Sequence, residues 1–286
     1  MTKTKPNINQ FFNINKFMKR TLRTTITAIA LMLMPLFSQV AMAADYNINS
    51  GNVTITASGN HTITGSGVQT GNIIVVNSGL TVNITMTDVN ILSTSCAFQI
   101  GANSTVTLTL EGTNTLTSGG GRAGIEVPAN ASLTIDGNGS LTVRGGTSTT
   151  NNSGGGAGIG GAGGSGAGDF SGVITIKGGT ITAIGGNGNG PQGGGASGIG
   201  GGGGGGNGSG GGTSGNISIN GGTVIATGGA GGSSSNGGAG IGGGGGGGNS
   251  GAGGNCSDIT IQGTVTQVTA TGGGGTNAGA SIGGGG

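Results

Sequence analysis

Apolar and polar residues alternate along this chain in short bursts, and the bursts come in threes. Each triplet opens with two apolar residues spaced two apart: Val53/Ile55, Ile84/Met86, Leu108/Leu110, Leu133/Ile135, Ile174/Ile176, Ile217/Ile219 and Ile259/Ile261. A second, Thr-rich run follows, centred on Ile63, Ile91, Leu116, Leu141, Ile181, Val224 and Val268. A third short segment carries Ile74, Phe98, Ile125, Ile159, Ile199, Ile241 or Ile282. Period-two alternation over so few residues predicts strands, and its return at regular intervals predicts one supersecondary unit stacked on itself.

The spacing fixes the unit. First residues of the opening strands (Val53, Val82, Val106, Leu133, Ile174, Ile217, Ile259) are separated by steps of 29, 24, 27, 41, 43 and 42. The third-strand series lengthens at the same place, and the added residues are almost all Gly, Ser and Asn. One coil of about 25 residues, with Gly-rich loops inserted from mid-chain onward, accounts for both series. Three strands and three turns per coil is the unit of a parallel β-helix. The expectation is an all-β solenoid of about seven coils, right-handed because parallel crossovers are overwhelmingly so. Leu116, Leu141, Ile181 and Val224 should point inward and stack, and Thr115, Thr117, Thr142, Thr180 and Thr182 outward.

Composition adds the loops. Of 286 residues 78 are Gly and 6% are charged. Low charge and abundant β-branched residues are the reverse of a disordered chain, so an ordered scaffold carrying Gly-rich loops is expected. Two readings of the runs 201–206 and 242–248 stay open. The entropic cost of ordering glycine favours flexible linkers; recurrence at matching places favours extended polyglycine packed on the rod. No Lys-Ser/Thr follows any run, which excludes a phosphate-cradling loop.

Charge is split along the chain. Lys3, Lys5, Lys16, Lys19, Arg20 and Arg23 precede the apolar stretch from Ile26 to Phe37, and Ala41-Met42-Ala43 follows it. This is the layout of a secretory signal cut after Ala43, with residues 1–17 an upstream extension and Met18 an alternative start; the alternative, an uncleaved membrane anchor, is disfavoured by the shortness of the apolar stretch. Residues 44–286 then form one β-helix domain, compact over 44–150 and Gly-rich over 151–286. They hold Arg122, Arg144 and Lys177 against seven acids, a net charge of −4, which excludes nucleic acid as a partner. Export points to secretion or a bacterial cell surface. Cys96 and Cys256 fall four coils apart, roughly 19 Å along the axis, too far for a disulfide. Cys96 takes the place of Ala123, Ala157 and Ala239 in other copies and reads as a buried filler. His61 reads as a solvated outer residue at the start of a strand.

The stretch from Val53 to Gly65, together with Val82-Asn83-Ile84-Thr85-Met86-Thr87-Asp88-Val89-Asn90-Ile91 and Glu111-Gly112-Thr113-Asn114-Thr115-Leu116, resembles the bacterial extracellular carbohydrate-binding β-helix proteins, relatives in shape of pectate lyases. Gly156-Ala157-Gly158-Ile159-Gly160-Gly161 and the run from Gly221 to Gly229 resemble Gly-rich repeats of bacterial surface proteins. The resemblance covers roughly residues 50–286 and implies calcium-assisted binding of acidic or plant-type polysaccharide.

Few residues could carry chemistry. Alignment of the turns after the opening strand places Asp88, Glu111 and Asp136 in one column, an all-oxygen set suited to calcium or to three solvated turn residues. Thr115, Thr117, Thr142, Thr180 and Thr182 offer hydroxyls to a polysaccharide or cell-surface glycan. A lyase would need Arg122, Arg144 or Lys177 as base, but none sits in a recognisable signature. The resulting expectation is a non-enzymatic carbohydrate-binding or adhesin-type protein. The alternatives are a structural stalk, a lyase-like enzyme and ice binding by Thr rows, the last interrupted by Leu92 and Ile225. The repeat breaks off at 283–286 without a cap, so continuation in a longer chain or cover by another chain is expected.

Overall fold

A computed structural model describes residues 43–286, side chains of 264–266 excepted. The signal-peptide expectation lies outside the described residues. Eight levels of strand stack on one another. The first two are β1 (Ala44–Asn47) with β2 (Val53–Ile55), and β3 (Gly59–Thr64) with β4 (Ile74–Val76). The third holds β5 (Thr81–Thr87), β6 (Asn90–Leu92) and β7 (Phe98–Ile100); the fourth β8 (Thr105–Glu111), β9 (Thr113–Thr117) and β10 (Ile125–Glu126). The fifth holds β11 (Ser132–Gly137), β12 (Ser140–Arg144) and β13 (Ile159–Gly160); the sixth β14 (Val173–Ile176), β15 (Thr180–Ile184) and β16 (Ile199–Gly200). In the last two, one long strand turns the first corner: β17 (Ile217–Thr227) with β18 (Ile241–Gly242), and β19 (Ile259–Thr271) with β20 (Ile282–Gly283).

Every pairing between these strands is parallel and joins one level to the next, so the fold is an all-β parallel β-helix. Third strands make an eight-stranded sheet, while first and second strands merge through β17 into a twelve-stranded one. The third-strand anchors stack without a break: Val53, Ile74, Phe98, Ile125, Ile159, Ile199, Ile241 and Ile282 are partners in succession. Columns of this kind fill the bore, and almost every aliphatic in them is fully buried. Each such side chain stabilises the rod by about 1.5–3 kcal/mol.

The first copy is out of phase with the sequence reading. Val53 and Ile55 pair with Ile74 and Val76, so they form a third strand rather than an opening one. The opening position at the second level belongs to β3, where His61 pairs with Ile84 and Ile63 with Met86. His61 therefore points into the bore and is 4% exposed, contrary to the expected solvated position. Its Nε2 lies 3.0 Å from the Ala57 carbonyl, and its ring stands 6.0 Å from that of Tyr46.

A second adjustment concerns the middle strand. Ile91, Leu116, Val143, Ala183 and Ala226 form one inward column, whereas Leu141, Ile181 and Val224 stack on Asn114. Leu116 is displaced by two residues from the predicted column. Fully buried Asn114 fills the corner beside it: its Oδ1 accepts the Val89 N–H at 3.0 Å, and its Nδ2 donates to the Glu111 carbonyl at 2.8 Å.

The glycine runs are ordered and buried. Segments 153–162, 193–205 and 235–248 lie inside the molecule, beside the eight-stranded sheet. Their backbones bond in three directions. Gly156 N–H donates to Gly146 in its own level at 3.0 Å, Gly186 N–H to Gly156 one level back at 2.8 Å, and Gly155 N–H to Gly194 one level on at 3.1 Å. The pattern repeats with Ala196 to Gly186, Gly229 to Ala196 and Gly195 to Asn236, and again with Gly238 to Gly229 and Gly273 to Gly238. Extended chains without internal hydrogen bonds can bond sideways all round. A Cβ on Gly154, Gly201 or Gly243 would overlap the carbonyl oxygen of Gly203, Gly212 or Gly254. Flexible linkers are thus excluded. The entropic cost of glycine is offset by satisfied peptide groups throughout a packed interior.

Candidate functional site

The outer face of the second strands carries the five expected threonines. Thr115, Thr142 and Thr182 are successive partners in one column that begins at Asn90 and runs on to Ile225. Thr117 stands between Leu92 and Arg144 in a neighbouring column, and Thr180 between Ser140 and Thr223 in a third. Rungs are about 4.8 Å apart along the rod, and columns about 6.8 Å apart along the strand. Leu92 and Ile225, 50% and 39% exposed, interrupt the array as anticipated.

A longer array lies on the adjoining face of the first strands. Asn60, Asn83, Thr107, Thr134, Thr175, Ser218 and Thr260 are partners in succession across seven levels, with no apolar rung. Asp45, Thr62, Thr85, Thr109 and Asp136 form a parallel column beside it. Neighbouring rungs bond to one another: Asn83 Nδ2 donates to Asn60 Oδ1 at 2.8 Å, and Ser132 Oγ to Thr105 Oγ1 at 3.3 Å. The sequence reading missed this face because its threonines were attributed to the second run. The signal was present in Thr81-Val-Asn83-Ile-Thr85-Met-Thr87 and Thr105-Val-Thr107-Leu-Thr109.

Asp88, Glu111 and Asp136 do not form a column. Glu111 pairs with Thr87, whose Oγ1 donates to Glu111 Oε2 at 3.2 Å. Asp136 pairs with Thr109, two residues away from Glu111, and its Oδ1 accepts the Gly137 N–H at 2.8 Å. Asp88 falls one residue beyond Thr87 at the corner, in the left-handed region (φ 52°), where its Oδ1 accepts the Thr113 N–H at 2.9 Å. All three act as turn and edge residues. Among the described residues no group of three or more His, Cys, Asp or Glu could hold a metal ion, so the calcium column is withdrawn. Glu111 and Thr180 line one shallow hollow of about 540 Å³ at this corner.

The cations are dispersed. Arg144 ends β12 on its outer face beside Thr117. Lys177 follows β14, its N–H held by the Ile135 carbonyl at 2.8 Å, which places it on the rung after Asp136. Arg122 is engaged with Glu126: Nη2 donates to Oε1 at 2.6 Å. Burial pushes the Glu126 carboxyl up from its ordinary value; Arg122 pulls it back and Asp169 adds to the rise. Its Oε2 is buried without a hydrogen-bond partner. Nearby Cys96 is buried, its thiol pushed up to about 12 by burial and then by Glu126. Its Sγ donates to the Ala123 carbonyl at 3.4 Å, and both Cys96 and Cys256 are free. Cys96 is the expected filler.

Comparison with protein-family models, with curated proteins and with solved structures returned no match. Among the described residues, no helix is long and apolar enough to cross a membrane.

Proposed function

We propose that this chain is an exported, non-enzymatic scaffold of the bacterial surface that binds extended polysaccharide along its flat hydroxyl and amide face. The supporting observation is the column of Asn60, Asn83, Thr107, Thr134, Thr175, Ser218 and Thr260, polar at every rung over seven levels. Hydroxyls and amides that both donate and accept suit a ligand made of hydroxyls. A face held rigid by its own ladder loses little entropy on contact. A glycan array and a pull-down on insoluble polysaccharides test the reading. Retention is expected for at least one repeating glycan, falling about tenfold or more in Thr134→Tyr, where a ring stands proud of the plane. Silence across both assays, or retention unchanged in that variant, rejects it.

The cross-bonded glycine bundle favours a second reading, that of a stiff spacer in a surface stalk. It predicts the same rigidity with no glycan retained.

A further inference from the structure

A step interrupts the rod where compact coils give way to Gly-rich ones. After β10 the chain turns at once through Pro128 and Ala131, whereas after β13 it runs outward along glycines before returning at Gly168. The overhang leaves an open cleft of about 480 Å³ between Pro128 on one level and Phe170 on the next, lined below by Gly160 and Gly161. Its walls are tied together by backbone. Pro128 bridges Ser171, Asp169 N–H donates to the Ala162 carbonyl at 2.8 Å, and the Asp169 carbonyl accepts Gly202 N–H at 3.1 Å.

This cleft brings together two acids and an exposed aromatic ring, a combination that recurs nowhere else on the surface of the described residues. Residues 44–286 hold ten charged side chains and three aromatic ones. Glu126 and Asp169 line the cleft, with Arg122 bonded to Glu126 behind it. Phe98 is inside the bore and Tyr46 packs against it, so Phe170, 56% exposed, is the aromatic ring left to solvent. Arg122 offsets one carboxylate and leaves the other, a local charge of −1. Asp169 is exposed and in no ion pair among the described residues, while the second Glu126 oxygen is buried beneath the cleft without a hydrogen-bond partner. Glycine at the floor leaves room for close approach.

We propose that the cleft binds an amino sugar, its ammonium against the Asp169 carboxylate, with the buried Glu126 adding negative potential beneath, and its ring on Phe170. An ammonium answers the surplus negative charge, which a neutral hydroxyl does not. An aromatic face attracts both a cation and the C–H face of a sugar ring. The site lies at the C-terminal ends of β10 and β13 in the eight-stranded sheet, apart from the polar ladder, and goes beyond the reading given above.

Titration of the intact protein by NMR tests it, with glucosamine oligosaccharides, their N-acetylated equivalents and putrescine as probes. Saturable shifts of the Gly160, Gly161 and Phe170 signals are expected with the amino sugar. N-acetylation should weaken binding about tenfold or more, as should Asp169→Asn and Phe170→Ala, both at exposed positions that leave the bore intact. Equal binding of the acetylated sugar, no saturable shift, or full binding by both variants overturns the proposal. Putrescine binding as well as the sugar overturns the sugar assignment. Thr134→Tyr should leave these shifts unchanged, so failure here is distinguishable from failure of the ladder face.

Discussion

Two side chains show how single residues set the behaviour of this rod. Glu126 is half of the only ion pair among the described residues and is buried enough for its proton affinity to rise. The folded state then holds that proton more tightly than the unfolded chain. Its contribution to stability is lost as pH rises from the ordinary glutamate value through the raised one. Melting temperatures measured across that window should decline in the wild type relative to Glu126→Gln, in which the step is absent. A parallel pH course in the two proteins would contradict this. Cys96 and Cys256 offer a second readout. A thiol reagent should modify Cys256 at once and Cys96 only after unfolding, because one is exposed and the other is buried with its thiolate disfavoured.

At the level of strands, alternation proved a sound guide to which way residues face and a poor one to which residues are neighbours. A slip of one residue reverses inside and outside, but a slip of two keeps both. The acidic column failed on such a slip. Leu133 and Ile135 sit over Val106 and Leu108, not over Leu108 and Leu110, so Asp136 passes Glu111 by two positions. His61 failed differently. Val53-Thr-Ile55 has the apolar spacing of an opening strand, and only its pairing with Ile74 reveals that it is a third one. The long column from Ile74 to Ile282 was legible because every third segment places a large aliphatic or aromatic residue at the same point, and from Ile159 onward that residue stands alone among glycines. The cleft at Glu126 was not legible, since Asp169 and Phe170 reach it through a glycine excursion without periodicity. Asn114 reads in sequence as one more polar residue, yet it satisfies a corner from within. Asn114→Ala should destabilise by about 2–3 kcal/mol in denaturant unfolding, the cost of orphaning buried backbone groups.

Over residues 43–286 the protein is two packings placed side by side, one of aliphatic columns and one of peptide groups. The second is the more brittle toward added atoms. Gly201→Ala, which sets a methyl on the Gly212 carbonyl, should cost about 2–3 kcal/mol. Gly274→Ala, with open space around it, should be neutral or stabilise by about 0.4–1 kcal/mol. Thermal melts of the pair separate a packed bundle from a loose one, which would tolerate both. Protection need not be even along the axis. Ile261 and Ile282 in the eighth level are 43% and 45% exposed, so the amides of β19 and β20 should exchange first. Calorimetry should also register the peptide-rich half. Unfolding it hydrates amides far more than hydrocarbon, and amide exposure lowers the heat capacity that hydrocarbon exposure raises. The increment per residue should therefore fall below the roughly 12–15 cal/mol/K usual for globular domains. Such a protein has a shallower stability curve than its length would suggest, because a large share of its cohesion rests on paired peptide groups and only the rest on water's aversion to oil.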